Sequence, residues 1–176
     1  MKNVARAIVW LSLIALSPSF AQVSRLNQVF AQIAPVVHDK TSVPLRFPTQ
    51  IRGLDEEKEL FAITLSADAS GYLVVLGATP ECEGEHYCSY GALIGTKAPV
   101  KSIDFYAVKD RKGILVPLRH GIKGYFYEGP CGAYCSDSLI VWTEGSYHYI
   151  IGLRAGDKSE LIKAANSALE ARNRWR

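Results

Sequence analysis

The sequence LIVWTEGSYHYIIGL at residues 139–153 decides the fold of this chain. β-Branched and aromatic residues dominate it, and Glu144-Gly145 is typical of a tight turn, so the segment predicts an antiparallel β-hairpin. With Glu144-Gly145 as a two-residue turn, three facing pairs are expected: Trp142 with Tyr147, Ile140 with Tyr149, and Val141 with His148. Apolar groups then lie on both faces of the hairpin. This pattern predicts a sheet covered on two sides and an α+β fold.

Further β-rich segments precede the hairpin, and short turn sequences separate them. With the two hairpin strands, the predicted strands are 60–65, 72–78, 90–95, 103–108, 114–119, 124–128, 139–143 and 147–153. Turns such as Asp68-Ala69-Ser70-Gly71 suit antiparallel hairpins rather than βαβ crossovers, so we predict a strongly twisted antiparallel sheet. Residues 41–47, flanked by Pro44 and Pro48, are expected to form an edge strand or an extended connector.

Two helices are predicted, one on each side of the β-rich region. Residues 24–38 place apolar side chains at helical spacing, with Ser24 as the N-cap and Pro35 as a late interruption. Near the end of the chain Asp157 can cap a second helix, and Glu160 follows three residues later. The apolar stripe of this second helix consists of Leu161, Ile162, Ala165 and Leu169.

Four cysteines form two tight clusters, CEGEHYC at 82–88 and CGAYC at 131–135. An even number of cysteines in a short exported chain is typical of structural disulfides, because thiols outside the cytoplasm are oxidised. Glycines inside both clusters favour local pairs, Cys82 with Cys88 and Cys131 with Cys135, and pairing between clusters is the alternative. In the chain-entropy model each local bridge stabilises the fold by about 2 kcal/mol, and a bridge between clusters by about 4 kcal/mol.

Residues 1–21 are typical of a signal peptide. Lys2 and Arg6 precede an apolar core at 7–16, and small residues end the segment, which predicts cleavage before residue 22. The mature chain is then a single domain, 22–176, in the periplasm or secreted. The apolar core is too short for a stable membrane span, and retention as an uncleaved anchor is the alternative.

From the charge of the mature chain we predict that it does not bind nucleic acid. The full sequence has 20 Lys and Arg and 17 Asp and Glu, and Lys2 and Arg6 lie in the predicted signal peptide. The mature domain is therefore nearly neutral. Its basic cluster, Arg172, Arg174 and Arg176, is expected to be a solvated helix end rather than a phosphate-binding patch.

The spacing of the cysteines does not favour a redox, metal-binding or nucleophilic role. Cys131 and Cys135 are separated by three residues, whereas the thioredoxin motif has two, and C-x5-C with C-x3-C and His86 is a poor zinc pattern. Arg119-His120-Gly121 upstream of these cysteines faintly resembles exported cysteine transpeptidases, but the Ser-His-Gly pattern before a single cysteine is missing. We therefore predict no metal, no cofactor and no enzyme activity. A thiol-dependent redox or cell-wall-modifying enzyme is the alternative.

Aromatic residues near the cysteine clusters favour a binding function. Five tyrosines are candidates for a contact surface: Tyr87, Tyr90, Tyr125, Tyr127 and Tyr134. If the two clusters meet in space, these side chains can line a groove for an envelope protein, a peptide or a glycan. Filling of the protein core is the alternative for at least half of the aromatic residues in this region. The sequence thus predicts a non-catalytic binding or interaction module of the cell envelope.

A family resemblance rests on four segments: GIKGYF at 121–126, CGAYC at 131–135, the hairpin at 142–149, and AANSAL at 164–169. The chain resembles a group of uncharacterised exported bacterial proteins, cyanobacterial ones among them. Their C-terminal strand-strand-helix unit is similar to a domain of unknown function in bacterial membrane-anchored and anti-sigma-type proteins. The resemblance covers about the last third of the chain. It implies a fold for this part and supplies no catalytic or binding residues.

Overall fold

The computed structural model describes residues 24–54, 59–100, 108 and 111–175. The predicted signal peptide and most of the predicted strand at 103–108 lie outside these residues. The described part contains two helices and a seven-stranded antiparallel sheet, which is the predicted α+β class. Its elements are α1 Arg25–Lys40, β1 Phe61–Asp68, β2 Gly71–Gly77, β3 Ser89–Thr96, β4 Ile114–Pro117, β5 Lys123–Tyr127, β6 Asp137–Glu144, β7 Tyr147–Arg154 and α2 Lys158–Glu170.

Two meanders build the sheet, and they meet at its centre. The strand order is β1-β2-β3-β7-β6-β5-β4, and every neighbouring pair is antiparallel. The chain therefore passes from the central strand β3 to the edge strand β4 through one long connection. The last strand, β7, then returns to the centre and pairs with β3.

The β6–β7 hairpin turns one residue later than the sequence suggested. Gly145-Ser146 is the turn, and Glu144 pairs with Tyr147. Gly145 has φ 61°, a left-handed conformation that glycine adopts without steric cost and that suits the first position of a hairpin turn. The predicted facing pairs were wrong by two residues: Trp142 faces Tyr149, Ile140 faces Ile151, and Val141 faces Ile150. Because the shift is even, each side chain keeps its predicted face.

Both helices begin at their predicted caps. Ser24 accepts a hydrogen bond from the Asn27 N–H, and Asp157 accepts one of 2.8 Å from the Glu160 N–H. Pro35 lies within α1 without ending it. The helices cover one face of the sheet, which we call the helical face, together with the connector that follows α1. The connector, predicted as an edge strand or connector at 41–47, pairs with none of the described strands.

Aromatic packing fixes the connector and the end of the chain against α1. The rings of Phe30 and Phe47 stack with centroids 4.7 Å apart, and Trp175 meets both rings at 6.0 Å. The Trp175 indole N–H donates to the Phe47 carbonyl at 3.0 Å, so this buried polar group is satisfied. After α2, Ala171 and Trp175 are therefore part of the core.

The opposite face of the sheet, the back face, is also buried. Alternate residues of the strands form a second apolar cluster there, including Val75, Leu139 and Ile150. The Cys82–Cys88 bridge and Val108, from the connection between β3 and β4, pack on this cluster. Two-sided burial was predicted from the hairpin pattern, and among the described residues the Cys82–Cys88 loop, Val100 and Val108 cover the back face.

Candidate functional site

Two disulfide-bridged loops occupy the hairpin connections between β2 and β3 and between β5 and β6. Cys82 is bonded to Cys88 and Cys131 to Cys135, so the local pairing is the one formed. The described residues include no free cysteine. Backbone hydrogen bonds close both loops as well, from the Ala78 N–H to the Cys88 carbonyl and from the Ser136 N–H to the Pro130 carbonyl.

Both bridged loops lie at the same end of the sheet. One loop immediately precedes β3 and the other precedes β6, and these strands run in the same direction because each is antiparallel to β7. The strand order places the loop axes three inter-strand spacings apart, about 14 Å. We call this end of the sheet, with residues 79–88 and 128–136, the loop end.

Each bridged loop presents one exposed tyrosine. Tyr87 is 86% exposed and Tyr134 is 82% exposed. Aromatic side chains of this size are normally buried, and a short bridged loop limits their freedom, so they resemble the rigid aromatic anchors of binding surfaces.

The other three candidate tyrosines lie on the strands next to these loops, on two different faces of the sheet. Tyr90 packs against the core of the helical face. Tyr125 and Tyr127 lie on the back-face side of β5, where Tyr125 is 46% exposed and Tyr127 packs on the second apolar cluster. Burial, with a smaller effect of Tyr125, raises the pKa of Tyr127. The structure therefore brings Tyr87 and Tyr134 to one end and does not bring all five tyrosines into one groove.

The loop end is acidic. Four glutamates on the two loops are exposed: Glu81, Glu83, Glu85 and Glu128. Residues 79–88 and 128–136 contain no lysine or arginine. The bridged loops themselves therefore carry negative charge, whereas Arg154 and Arg111 lie at the base of the same end and donate to the carbonyls of Ser89 and Asp137.

The four cysteine sulfurs are bonded in pairs, so none of them is a thiolate in this structure. Atoms of Cys82, Glu85 and Cys88 lie within 4.8 Å of one another, a group that could hold a metal if the cysteines were thiolates. Their sulfurs are instead bonded to each other, and metal coordination and nucleophilic attack both need a thiolate. His86, the third group considered for zinc, is exposed.

His120 lies far from Cys131 and Cys135, the cysteines that a transpeptidase-like site would require it to activate. It occupies the turn before β5, whereas Cys131 follows the other end of that strand. Five strand residues span about 16 Å, so no hydrogen bond between the imidazole and that sulfur is possible. His120 is exposed and has φ 58°, a conformation unusual for a side chain other than glycine.

A second polar centre, which the sequence did not reveal, lies at the opposite end of the sheet. Arg46 is only 8% exposed. Its Nε and Nη2 atoms donate to the two carboxylate oxygens of Glu144 at 2.8 and 3.0 Å, and the Trp142 indole N–H donates to the same carboxylate at 3.1 Å. This bidentate geometry is the strongest form of an arginine–carboxylate pair.

Two buried tyrosines fasten the backbone around Arg46 to the sheet. The Arg46 N–H donates to the Tyr72 hydroxyl at 3.0 Å, and the Tyr149 hydroxyl donates to the Pro44 carbonyl at 3.1 Å. The Arg46 guanidinium also lies 5.5 Å from the centre of the Tyr149 ring. Burial raises the pKa of both tyrosines far above its ordinary value, so both remain neutral hydroxyl groups.

The charges of this pair are retained despite its burial. Desolvation disfavours charged Arg46, but the hydrogen bonds and charge of Glu144 outweigh it and raise the pKa of Arg46. Burial likewise disfavours the Glu144 carboxylate, and the hydrogen bonds from Arg46 and Trp142 outweigh that effect and lower the pKa of Glu144. The pair is therefore a buried structural ion pair.

A groove of about 610 Å³ lies beside this centre. We call it the connector groove. It is lined by His38, Thr41, Ser42, Val43, Pro44, Leu45, Arg46, Arg172, Asn173 and Trp175. The one sequence signal for it was a lone arginine between two prolines, VPLRFP at 43–48, in an otherwise apolar stretch. Its partner Glu144 lies 98 residues away, so the pairing was not visible in the sequence.

No protein-family model, curated protein or solved structure matches this chain. Among the described residues, no helix is long and apolar enough to cross a membrane. The functional assignment therefore rests on the geometry of the two ends of the sheet.

Proposed function

We propose that this protein is an exported, non-catalytic binding module of the cell envelope, and that its contact surface is the loop end. Two disulfides fit a periplasmic or secreted location, where thiols are oxidised. The proposal includes cleavage of residues 1–21 and a mature domain of 22–176.

One observation carries the proposal. Two separately bridged loops emerge from the same end of the sheet, and each presents a tyrosine that is more than 80% exposed. Tyrosine contributes large contact area at low entropic cost, and bridged loops lose little further entropy when they bind. An exposed tyrosine ring on a disulfide-closed loop adds little to the stability of the fold. Its exposure is therefore better explained by contact with a binding partner.

The charge of the loop end favours a polypeptide partner with basic groups. The exposed glutamates are on the same short loops as the tyrosines, and residues 79–88 and 128–136 contain no lysine or arginine. A neutral glycan could stack on the tyrosines but would make no use of this charge. We therefore propose an envelope protein or peptide with a positively charged surface as the partner.

Binding of the mature protein to an array of peptides of graded charge, with peptidoglycan fragments included, tests the proposal. We expect micromolar binding of basic peptides that weakens as salt is raised. Tyr87→Ala combined with Tyr134→Ala should weaken it by at least about tenfold. Val36→Ala, at an exposed apolar position of α1, is the matched control and should bind like the wild type. Equal binding by the double variant, or preference for the glycan fragments, would contradict the proposal.

The alternative, a thiol-dependent enzyme, has a separate test. Intact mass after alkylation of the native mature protein should show no modified cysteine, and loss of residues 1–21 should be visible in the same spectrum. His120→Ala should leave peptide binding unchanged, because the imidazole lies at the other end of β5. Alkylation of two or more cysteines would favour the enzyme instead.

A further inference from the structure

The two disulfides differ in how far solvent reaches them. Cys82 is 1% exposed and Cys88 is 4% exposed, and both lie in the back-face cluster. Cys131 is exposed and Cys135 is half-buried, and the residues between them, 132–134, are exposed as well. Thiol–disulfide exchange requires a thiolate to reach one of the two bonded sulfurs. The Cys131–Cys135 bridge is therefore the accessible one.

A negative charge protects the buried bridge further. A carboxylate oxygen of Glu85 lies 3.4 Å from Sγ of Cys88. This charge repels an attacking thiolate and disfavours the thiolate that Cys88 becomes when the bond breaks. Among the described residues, Cys82, Glu85 and Cys88 form the one group of three potential ligand side chains whose atoms all lie within 4.8 Å of one another. No described carboxylate therefore lies that close to both sulfurs of the Cys131–Cys135 bridge.

The exposed bridge can open while the strands on either side of it stay paired. The base of its loop is closed by a separate hydrogen bond of 3.0 Å, from the Ser136 N–H to the Pro130 carbonyl. This bond lies outside the ring that the disulfide closes at 131–135, and β5 and β6 pair beyond it. Breaking the S–S bond therefore frees the segment that carries Tyr134 and leaves the sheet in place.

We propose that Cys131–Cys135 is a site of thiol–disulfide exchange with a dithiol protein that carries a Cys-x-x-Cys pair. A thiolate of the partner attacks Sγ of Cys131, the S–S bond breaks, and Cys135 leaves as a thiolate. The second thiol of the partner then attacks the partner's own sulfur in the mixed disulfide, and Cys131 leaves. The partner is oxidised to a disulfide, and its two electrons and two protons pass to Cys131 and Cys135. Cys82–Cys88 stays bonded throughout.

Exchange at this bridge would regulate the loop end, and this consequence rests on the proposed binding function. Tyr134 is one of the two exposed tyrosines of that surface, and it lies inside the ring that opens. A freed loop loses more conformational entropy when it binds a partner than a closed one does. Reduction of Cys131–Cys135 should therefore weaken the binding of basic peptides by about fivefold.

Alkylation of the mature protein, equilibrated in glutathione buffers of graded reducing strength and mapped by peptide mass, tests the exchange. We expect Cys131 and Cys135 to be alkylated in buffers at least about tenfold less reducing than those that open Cys82–Cys88. A thioredoxin variant with Cys-x-x-Ala in place of its Cys-x-x-Cys pair should be trapped as a mixed disulfide on Cys131. Reduction of both bridges together, earlier reduction of Cys82–Cys88, or trapping on another cysteine or on none would overturn the inference.

A variant with a permanently open loop tests the regulation. Cys131→Ser combined with Cys135→Ser should keep the amide NMR spectrum of the sheet and bind basic peptides about fivefold more weakly than the oxidised protein. Equal binding by the two proteins would overturn the regulatory role. Absence of peptide binding by the oxidised protein would instead contradict the proposed function, because the order of reduction is measured without any peptide.

Discussion

The two ends of this sheet use the same residue types in opposite ways. At the loop end, tyrosines and carboxylates are exposed, and disulfides hold the chain that carries them. At the end that carries Arg46, tyrosines and a carboxylate are buried, and their hydrogen bonds hold the chain. The comparison shows that burial, rather than residue type, separates a side chain available for contact from one that maintains the fold.

The largest expected effect comes from breaking the buried ion pair. Arg46→Ala leaves the partly buried Glu144 carboxylate without its bidentate donor and should lower the free energy of unfolding by about 3 kcal/mol. Urea denaturation measures the change. Arg119→Ala, which breaks the exposed pair with Glu170, is the control and should cost less than about 1 kcal/mol. A similar loss in both variants would mean that burial of the Arg46 pair has no energetic consequence.

The two disulfides should differ in their contribution to stability. Both close short loops, so the entropic part is about 2 kcal/mol for each. Cys82 and Cys88 are buried in the back-face cluster, whereas Cys131 is exposed. Double replacement by alanine should therefore destabilise the protein more at Cys82–Cys88, by about 1 kcal/mol, because atoms are also removed from the core. Equal melting temperatures of the two double variants would show that packing of the Cys82–Cys88 bridge in the core does not contribute to stability.

The pH dependence of stability should report on the Arg46 end. The folded state lowers the pKa of Glu144, so its contribution is present above the unfolded value of about 4.3 and is lost as pH falls through the folded value. Urea unfolding between pH 3 and 7 should show this loss in the wild type. Glu144→Gln should be less stable at pH 7 and should show a flatter profile in the acid range. An unchanged profile would mean that other carboxyl groups dominate the acid transition.

The smallest expected effect is a gain in stability at the turn before β5. His120 has φ 58°, a conformation that asparagine and glycine adopt more readily. His120→Asn should raise the free energy of unfolding by about 0.5 kcal/mol. Thermal unfolding detects a change of this size as a rise in melting temperature of about 1–2 °C. A fall in melting temperature would indicate that the imidazole makes a stabilising contact in solution.

Local signals in the sequence predicted most elements of this fold. Ser24 and Asp157 marked the two helix starts, and the stripe that contains Leu161 and Leu169 marked the buried side of α2. These features depend on residues within four positions of one another, so a single sequence displays them. The register of the β6–β7 hairpin could not be predicted from such local signals. Gly145 can be the first or the second residue of a two-residue turn, and the structure uses it as the first.

Non-local features were not predictable by the same reasoning. The placement of β7 beside β3, and the pairing of Arg46 with Glu144, join residues that are far apart in the chain. No local spacing encodes such contacts. The tyrosines illustrate the same point, since their clustering near the cysteines in sequence did not reveal that Tyr90 and Tyr127 lie on opposite faces of the sheet.

The central position of β7 has a consequence for how the molecule folds. Because β3 pairs with β7, the middle of the sheet stays open until the chain up to Arg154 has been made. Until then β3 presents an unpaired, apolar edge that can join another chain. This strand order requires many contacts between residues far apart in the chain, which predicts slow folding. Because the edge of β3 is exposed until β7 pairs with it, we also expect aggregation at high expression. We therefore expect the yield of this protein to depend more on folding assistance during synthesis than on the stability of the finished domain.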